Sequence, residues 1–236
     1  MAIEVRGAKE RFHTQLDWLD SWHSFSFADH YDPSNTHFGL LVVSNDDVIR
    51  GGGGFGAHSH RDMEIVTWVL SGELEHRDST GTVGIITPGL AQRMSAGSGI
   101  THSEVNASRN ADVHLVQMWV LPDTQGIDPG YEQQDVSAAL DGGGLVTVAS
   151  GRENGAGGGV HIHQRDAELL AGRLHAGVGV EVPDAPHVHL FVADGAGELD
   201  GAGDLGTGDA ARFTDAGAHR FTAGDDGAEI LVWMTA

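Results

Sequence analysis

The chain has 236 residues, 34 of them acidic against 13 basic, a formal net charge of −21 and no cysteine. Disulfides and thiolate metal sites are excluded. Nucleic acid and anionic membranes are poor partners for such a surface, because neutralising phosphate needs cations. The acidity points instead to a high-salt interior, where screening relieves self-repulsion. Glycine is abundant, at 35 residues, and helical periodicity is scarce, so many short strands joined by tight turns are expected. No basic segment followed by an apolar run opens the chain, and runs such as 65–70 are too short to cross a bilayer. A soluble cytoplasmic protein is the expectation.

In chain order, Ile3-Glu4-Val5 reads as a short strand and Thr14 to Asp20 as a polar segment. Trp22 to Phe27 alternates as a strand, with His23, Phe25 and Phe27 on one face, and ends in a turn at Asp32-Pro33-Ser34-Asn35. Phe38 to Val43 is apolar enough for a buried strand, and Asn45-Asp46-Asp47 reads as the turn that follows. Gly51 to Gly54 is a flexible approach to the next strand. It is no phosphate loop, since no Lys-Ser/Thr follows and a strand rather than a helix comes next. His58 to Leu70 reads as one strand with its continuation, Val83 to Thr87 and Val113 to Leu121 as further strands, and Pro122 to Gln134 as a connector. The expected domains are therefore 1–130 and 131–236. Leu145 to Ala149, a loose turn at Gly155 to Gly159, His187 to Val192, Ala210 to Phe213 and Glu229 to Met234 complete the second half.

Chemistry concentrates between Gly51 and Asn106. His58 and His60 are two apart, as are His102 and Glu104. Side chains alternate along a strand, so each pair can face one side of a sheet. If the two strands are neighbours, three imidazoles and one carboxylate converge. Such nitrogen and oxygen donors suit Fe, Mn, Ni, Cu or Zn, and the expectation is a mononuclear metal site inside a β-barrel.

The two halves can be overlaid without gaps in two registers, Glu64 to Leu74 on His189 to Leu199, and Arg93 to Glu104 on Arg212 to Ala223. His58 and His60 then fall opposite Pro183 and Ala185, and His102 and Glu104 opposite Phe221 and Ala223. The second barrel is expected to be packed and metal-free. His161/His163 and His187/His189 keep ligand spacing there but lack a second donor pair, and read as ordinary strand histidines.

These motifs resemble the cupin superfamily and, within it, the pirin family. The first cupin motif is matched by Gly52, His58, His60, Glu64 and, one residue late, Gly72. The second ends in His102 and Asn106. Sharper pirin-like stretches are Ser21 to Phe27, His60 to Glu64, Glu75 to Ser79 and Ala96 to Glu104. The likeness is good over the first 125 residues and loose beyond. It implies an all-β bicupin, two tandem jelly-roll-type cupin barrels, with a metal held by His58, His60, His102 and Glu104. Glu64, a ligand in many other cupins, is expected behind the ligands, or else as a solvent-facing carboxylate.

Prokaryotic pirins are linked to quercetin 2,3-dioxygenase activity and animal pirin to transcriptional co-regulation. The resemblance thus implies a metal-dependent dioxygenase opening a flavonol ring, with Fe(II) favoured as the one divalent transition metal, and a small aromatic substrate and O2 as partners. Open coordination positions would bring both together, with Glu104 as candidate base for the substrate hydroxyl. The alternative is a non-catalytic regulatory or redox-sensing metal protein. A purely structural site fits less well, since those are usually closed and tetrahedral.

Overall fold

The structure, a computed structural model, describes residues 2–152 and 157–236. The turn expected at Gly155 to Gly159 lies partly outside them. The first half contains β1 Ala2–Arg6, β2 Phe12–Gln15, β3 Leu19–His23, β4 Leu41–Ile49, β5 Gly54–His60, β6 Glu64–Ser71 and β7 Leu74–Asp78. It continues through β8 Val83–Ile86, β9 Leu90–Ser95, β10 Ile100–Asn106, β11 Val113–Val120 and β12 Gly130–Asp135. A short helix, α1 Ser137–Leu140, leads to β13 Leu145–Ser150, β14 Val160–His161, β15 Ala167–Leu174 and β16 Gly179–Val182. The chain closes with β17 His187–Leu199, β18 Gly203–Gly206, β19 Ala210–Thr214 and β20 His219–Thr235.

The front barrel is a seven-stranded sheet in the order β12-β9-β6-β11-β4-β3-β2, faced by a four-stranded sheet β5-β10-β7-β8. The rear barrel is a single nine-stranded sheet. Its long strand β20 pairs with β16 over its first residues and with β15 over its last, so one sheet wraps around both faces. Register shifts between Val192 and Asp194, and again between Gly195 and Gly197, supply the bend. The architecture is the all-β bicupin that the sequence implies.

Each barrel borrows an edge from the other half of the chain. β1 pairs with β19 of the rear sheet, and β12, which follows the front-barrel strands in sequence, pairs with β9 of the front sheet. The division into 1–130 and 131–236 is thus crossed twice by strand pairing. The stretch 122–134, read as a connector, ends in a strand. Polar alternation (Gly130-Tyr131-Glu132-Gln133) hid it, because an edge strand with one wet face carries few apolar residues.

The barrels are joined by a shared apolar core that includes Phe25, Trp68, Met118, Phe191 and Trp233. Burying side chains of this size stabilises by roughly 2–3 kcal/mol each. Both indoles also find acceptors: Trp68 Nε1 donates to Glu229 Oε1 at 2.7 Å and Trp233 Nε1 to Met118 Sδ at 3.1 Å, each across the interface.

Three local expectations are corrected. Asn45, Asp46 and Asp47 form no turn but the middle of β4, all buried. Their polarity is absorbed by partners: His23 Nδ1 bonds Asn45 Oδ1 at 2.9 Å, Arg11 and His114 hold Asp46 at 3.0 and 2.6 Å, and Ser21 Oγ donates to Asp47. The segment 58–70 is two strands in two sheets, parted at Arg61 to Met63, where Asp62 takes φ +48°. The strand of Trp22 ends at His23, so Phe25 and Phe27 separate: Phe25 enters the inter-barrel core and Phe27 lines the front cavity.

Candidate metal centre

β5 and β10 are antiparallel neighbours, with His58 directly opposite His102 and His60 opposite Ile100. Regular alternation on β10 points both His102 and Glu104 inward, while Ser59 and Thr101 face solvent; the register shift between His102 and Glu104 falls as an extra residue on β5. The neighbouring strands approach closely at Gly54, which has φ +155°; a Cβ there would lie 2.5 Å from the Val105 Cα. The imidazole donor atoms of His58, His60 and His102 lie within 4.8 Å of one another. Glu104 joins a second, overlapping group with His102 and His76.

The proton pattern suits a cation. His58 Nδ1 lies 2.8 Å from the Gly56 carbonyl, so that nitrogen carries the hydrogen and Nε2 keeps its lone pair. His60 Nε2 and His102 Nε2 are buried and have no hydrogen-bond partner among the described residues. Burial and the neighbouring His58 push His60 down to about 4, and burial with the surrounding imidazoles takes His102 to about 3. Both rings are therefore neutral near pH 7, as metal ligation requires. Three orphaned or open imidazole nitrogens and a nearby carboxylate fit a divalent transition metal.

His76 was not singled out from sequence. It lies opposite Glu104 on β7, fully buried, with Nε2 3.0 Å from Asp78 Oδ2 and Nδ1 3.4 Å from His102 Nδ1. Burial opposes ionisation of Asp78, but hydrogen bonds from Thr80, His76 and Thr82 hold its carboxyl below the ordinary value. The ionised Asp78 accepts from His76 Nε2, whose Nδ1 then accepts from His102. This chain fixes the His102 tautomer with Nε2 bare. The signal in sequence was the His76/Asp78 pair, two apart on a strand like the other donors.

Glu104 is buried and receives Gln117 Nε2 at 2.7 Å; the Gln117 carbonyl in turn accepts Trp119 Nε1 at 3.1 Å. Burial raises the Glu104 carboxyl above its ordinary value, against the pull of the Gln117 amide. His58, His60 and Glu104 open onto a cavity of about 460 Å³ between the two sheets. Its walls are Trp18, Leu19, Phe27, Phe55 and Trp119, with Ser21, His23, Asn45 and Asp47 on the polar side. Asp47 is pushed up to about 7, chiefly by burial. Trp119 stands edge-on to His60 with ring centres 4.9 Å apart.

Glu64 does not line this cavity. It is fully buried and accepts Ser95 Oγ at 2.9 Å and the His163 backbone N–H at 3.0 Å, which makes it an anchor between barrels. Asn106 is a turn staple, donating to the Ile49 and Ala111 carbonyls at 2.9 and 2.8 Å.

In the rear barrel the repeat register needs one adjustment. Phe221, the counterpart of His102, lies opposite Val180, with Val182 two residues on. Val180 and Val182, rather than Pro183 and Ala185, thus stand where His58 and His60 do. The ungapped overlay missed this because the segment before the rear strand is of different length. Val180, Val182, Phe221 and Ala223 all belong to one apolar cluster, so hydrocarbon fills the equivalent point. His161 and His163 serve the inter-barrel contact: the His161 carbonyl accepts Arg93 Nε at 2.7 Å.

Residues 5–120 match the Pirin family, and residues 147–233 match the family described as Quercetinase C-terminal cupin domain. The chain belongs to the pirin family. This pirin is 54% identical to a Mycobacterium tuberculosis protein provisionally named quercetin 2,3-dioxygenase, over 98% of this chain and 94% of that one. It is 48% identical to the quercetin 2,3-dioxygenase of Escherichia coli K12, over 81% of this chain and 78% of the relative. The crystal structure of the bacterial pirin YhhW of Escherichia coli in complex with nickel(II) superposes with a TM-score of 0.88 at 38% identity, covering 99% of each chain.

Proposed function

We propose that this pirin is a metal-dependent dioxygenase that cleaves flavonols in the manner of a quercetin 2,3-dioxygenase. The observation that carries the reading is the pair of buried Nε2 atoms of His60 and His102, partnerless among the described residues and grouped with His58, where His58 and His60 line an aromatic-walled cavity. His58, His60, His102 and Glu104 would hold one divalent ion, with Fe(II) as the favoured metal and Mn, Ni, Cu or Zn compatible with the same donors. When bound, that ion would supply Lewis-acid chemistry and a meeting point for substrate oxygen and O2.

The chain's own residues do the rest. A cavity of about 460 Å³ falls within the usual range for small-molecule sites. Trp18, Phe27, Phe55 and Trp119 offer apolar faces to a flat aromatic substrate and keep water away from it. Glu104, raised by burial, takes the proton of the substrate hydroxyl, and Gln117 holds the carboxylate in position as it does so. Asp47 gives the opposite wall a hydrogen-bonding group that is half protonated near neutral pH.

Oxygen uptake with quercetin, compared between metal-loaded and metal-free protein, tests the proposal. Uptake that depends on the metal is expected. No uptake with any of the five metals would leave the regulatory, non-catalytic reading in its place. Glu104→Gln should abolish turnover and keep much of the metal, and unchanged turnover would remove Glu104 as the base.

A further inference from the structure

A second polar cavity lies away from the histidines, at the seam between the barrels. Its volume is only about 20 Å³, and Arg6, Glu10, Arg11, Ser24, Asn35 and Arg212 line it. Three guanidinium groups thus meet in a chain with only 13 basic residues. Two of them are neutralised locally: Arg11 pairs with Asp46 at 3.0 Å and Arg6 with Glu4 at 2.6 Å. Arg212 is not. It is 5% exposed and makes no ion pair among the described residues. Its Nη2 donates to the Ser24 carbonyl and to Asn35 Oδ1, both neutral, and its plane covers Phe25 at 4.8 Å. Glu10, the one carboxylate on the wall, is exposed and is engaged by the Gly7 N–H at 2.6 Å.

Three side-chain donors on the residues lining this cavity have no partner among the described residues: Arg6 Nε, Arg212 Nε and Ser24 Oγ. Ser24, like Arg212, is more than nine-tenths buried, at 7% exposure. A buried guanidinium without a counter-charge is costly, and an unmet donor beside it adds to the cost. A water molecule would accept from at most two of the donors and would bring two hydrogens of its own. A monatomic anion accepts from all three and cancels the charge.

We propose that Arg212, Arg6 and Ser24 form a binding site for one halide-sized anion, chloride in a salt-rich cell, which fastens the two barrels together. The ligand class follows from the donors and the narrow space they share: a small monatomic anion such as chloride or bromide accepts from all three without bringing atoms of its own that need room. Arg6 and Arg212 come from β1 and β19 of the rear sheet, whereas Ser24 and Asn35 come from the front half. The anion would therefore bridge the strand borrowed by the rear barrel and the loop after β3. The site is independent of the proposed catalytic activity.

The test uses the full chain. Crystals grown in potassium bromide should give an anomalous peak in contact with Arg212 Nε and Ser24 Oγ. Melting temperatures are then compared between wild type and Ser24→Ala in potassium chloride and in potassium gluconate, whose anion is too large to enter. The wild type should exceed the variant by about 2–4 °C more in chloride than in gluconate. Arg212→Gln should lose the chloride-specific gain altogether, and Ser24→Ala keeps the test open if that variant does not fold. Water without anomalous signal at the site overturns the proposal. So does a bromide peak with no chloride-specific stabilisation, which is binding at crystal concentration only, and so does a chloride effect unchanged in the variants.

Discussion

Asp47 sits inside β4 with Ser21 donating to it and no ion pair among the described residues, and its carboxyl stays protonated up to about pH 7. In the unfolded chain the same group ionises near its model value of 3.8. Between these limits the unfolded state binds fewer protons, so this residue's contribution to stability falls as pH rises from about 4 to about 7 and is fully lost above. Asp47→Asn, which keeps an acceptor for Ser21, should flatten that decline and raise stability at pH 8 by up to about 4 kcal/mol. Urea melts of both proteins at pH 5 and pH 8 check this; parallel changes in the two would contradict it. A different effect operates behind the proposed metal ligands. His76 and Asp78 do not line the cavity in front of His58 and His60, yet they hold the His102 tautomer. His76→Ala should weaken metal affinity about 10–100-fold with all four proposed ligands in place, read by competition with a chelator. Unchanged affinity would mean that His102 needs no such support.

At the scale of elements, the site depends on how closely β5 lies against β10. Gly54→Ala would drive a Cβ into the Val105 backbone and should cost about 1–3 kcal/mol through overpacking, with metal binding weakened in parallel. A thermal melt and a metal titration on one sample measure both effects, and full metal affinity in a destabilised protein would uncouple strand spacing from the site. The i, i+2 donor pairs were legible in the sequence because strand alternation is strict and ligands need a shared face. So were the apolar strands, such as β6 and β11, whose burial is written in their side chains. The residues Asn45-Asp46-Asp47 were not, because a polar run inside a buried strand looks like a turn until its partners are known, and Ser21, His23, Arg11 and His114 come from elsewhere in the chain. β12 escaped for a related reason: Tyr131 faces inward against His76, while its neighbours meet water. Pairing across distance decides such cases, and a local pattern does not carry it.

The whole molecule is two barrels that complete each other. A fragment ending at residue 128 would lack β12 and leave β9 with an open edge, and it would carry β1 with no β19 to pair with. Such a fragment should be unfolded or aggregated, as read by circular dichroism and gel filtration. A soluble, cooperatively melting fragment would show that the exchange of strands contributes little. The net charge of −21 predicts that the intact protein gains stability from low to molar KCl as self-repulsion is screened, and a flat melting series would rule this out. Among the described residues no helix is long and apolar enough to cross a membrane. The most direct measurement of the central claim is anomalous scattering at the iron, nickel, copper and zinc edges from crystals of natively purified protein. The account predicts one cation, within bonding distance of the His58, His60 and His102 imidazoles and the Glu104 carboxylate. A cation seated instead beside Val180 and Phe221, or none at the three imidazoles, would contradict it.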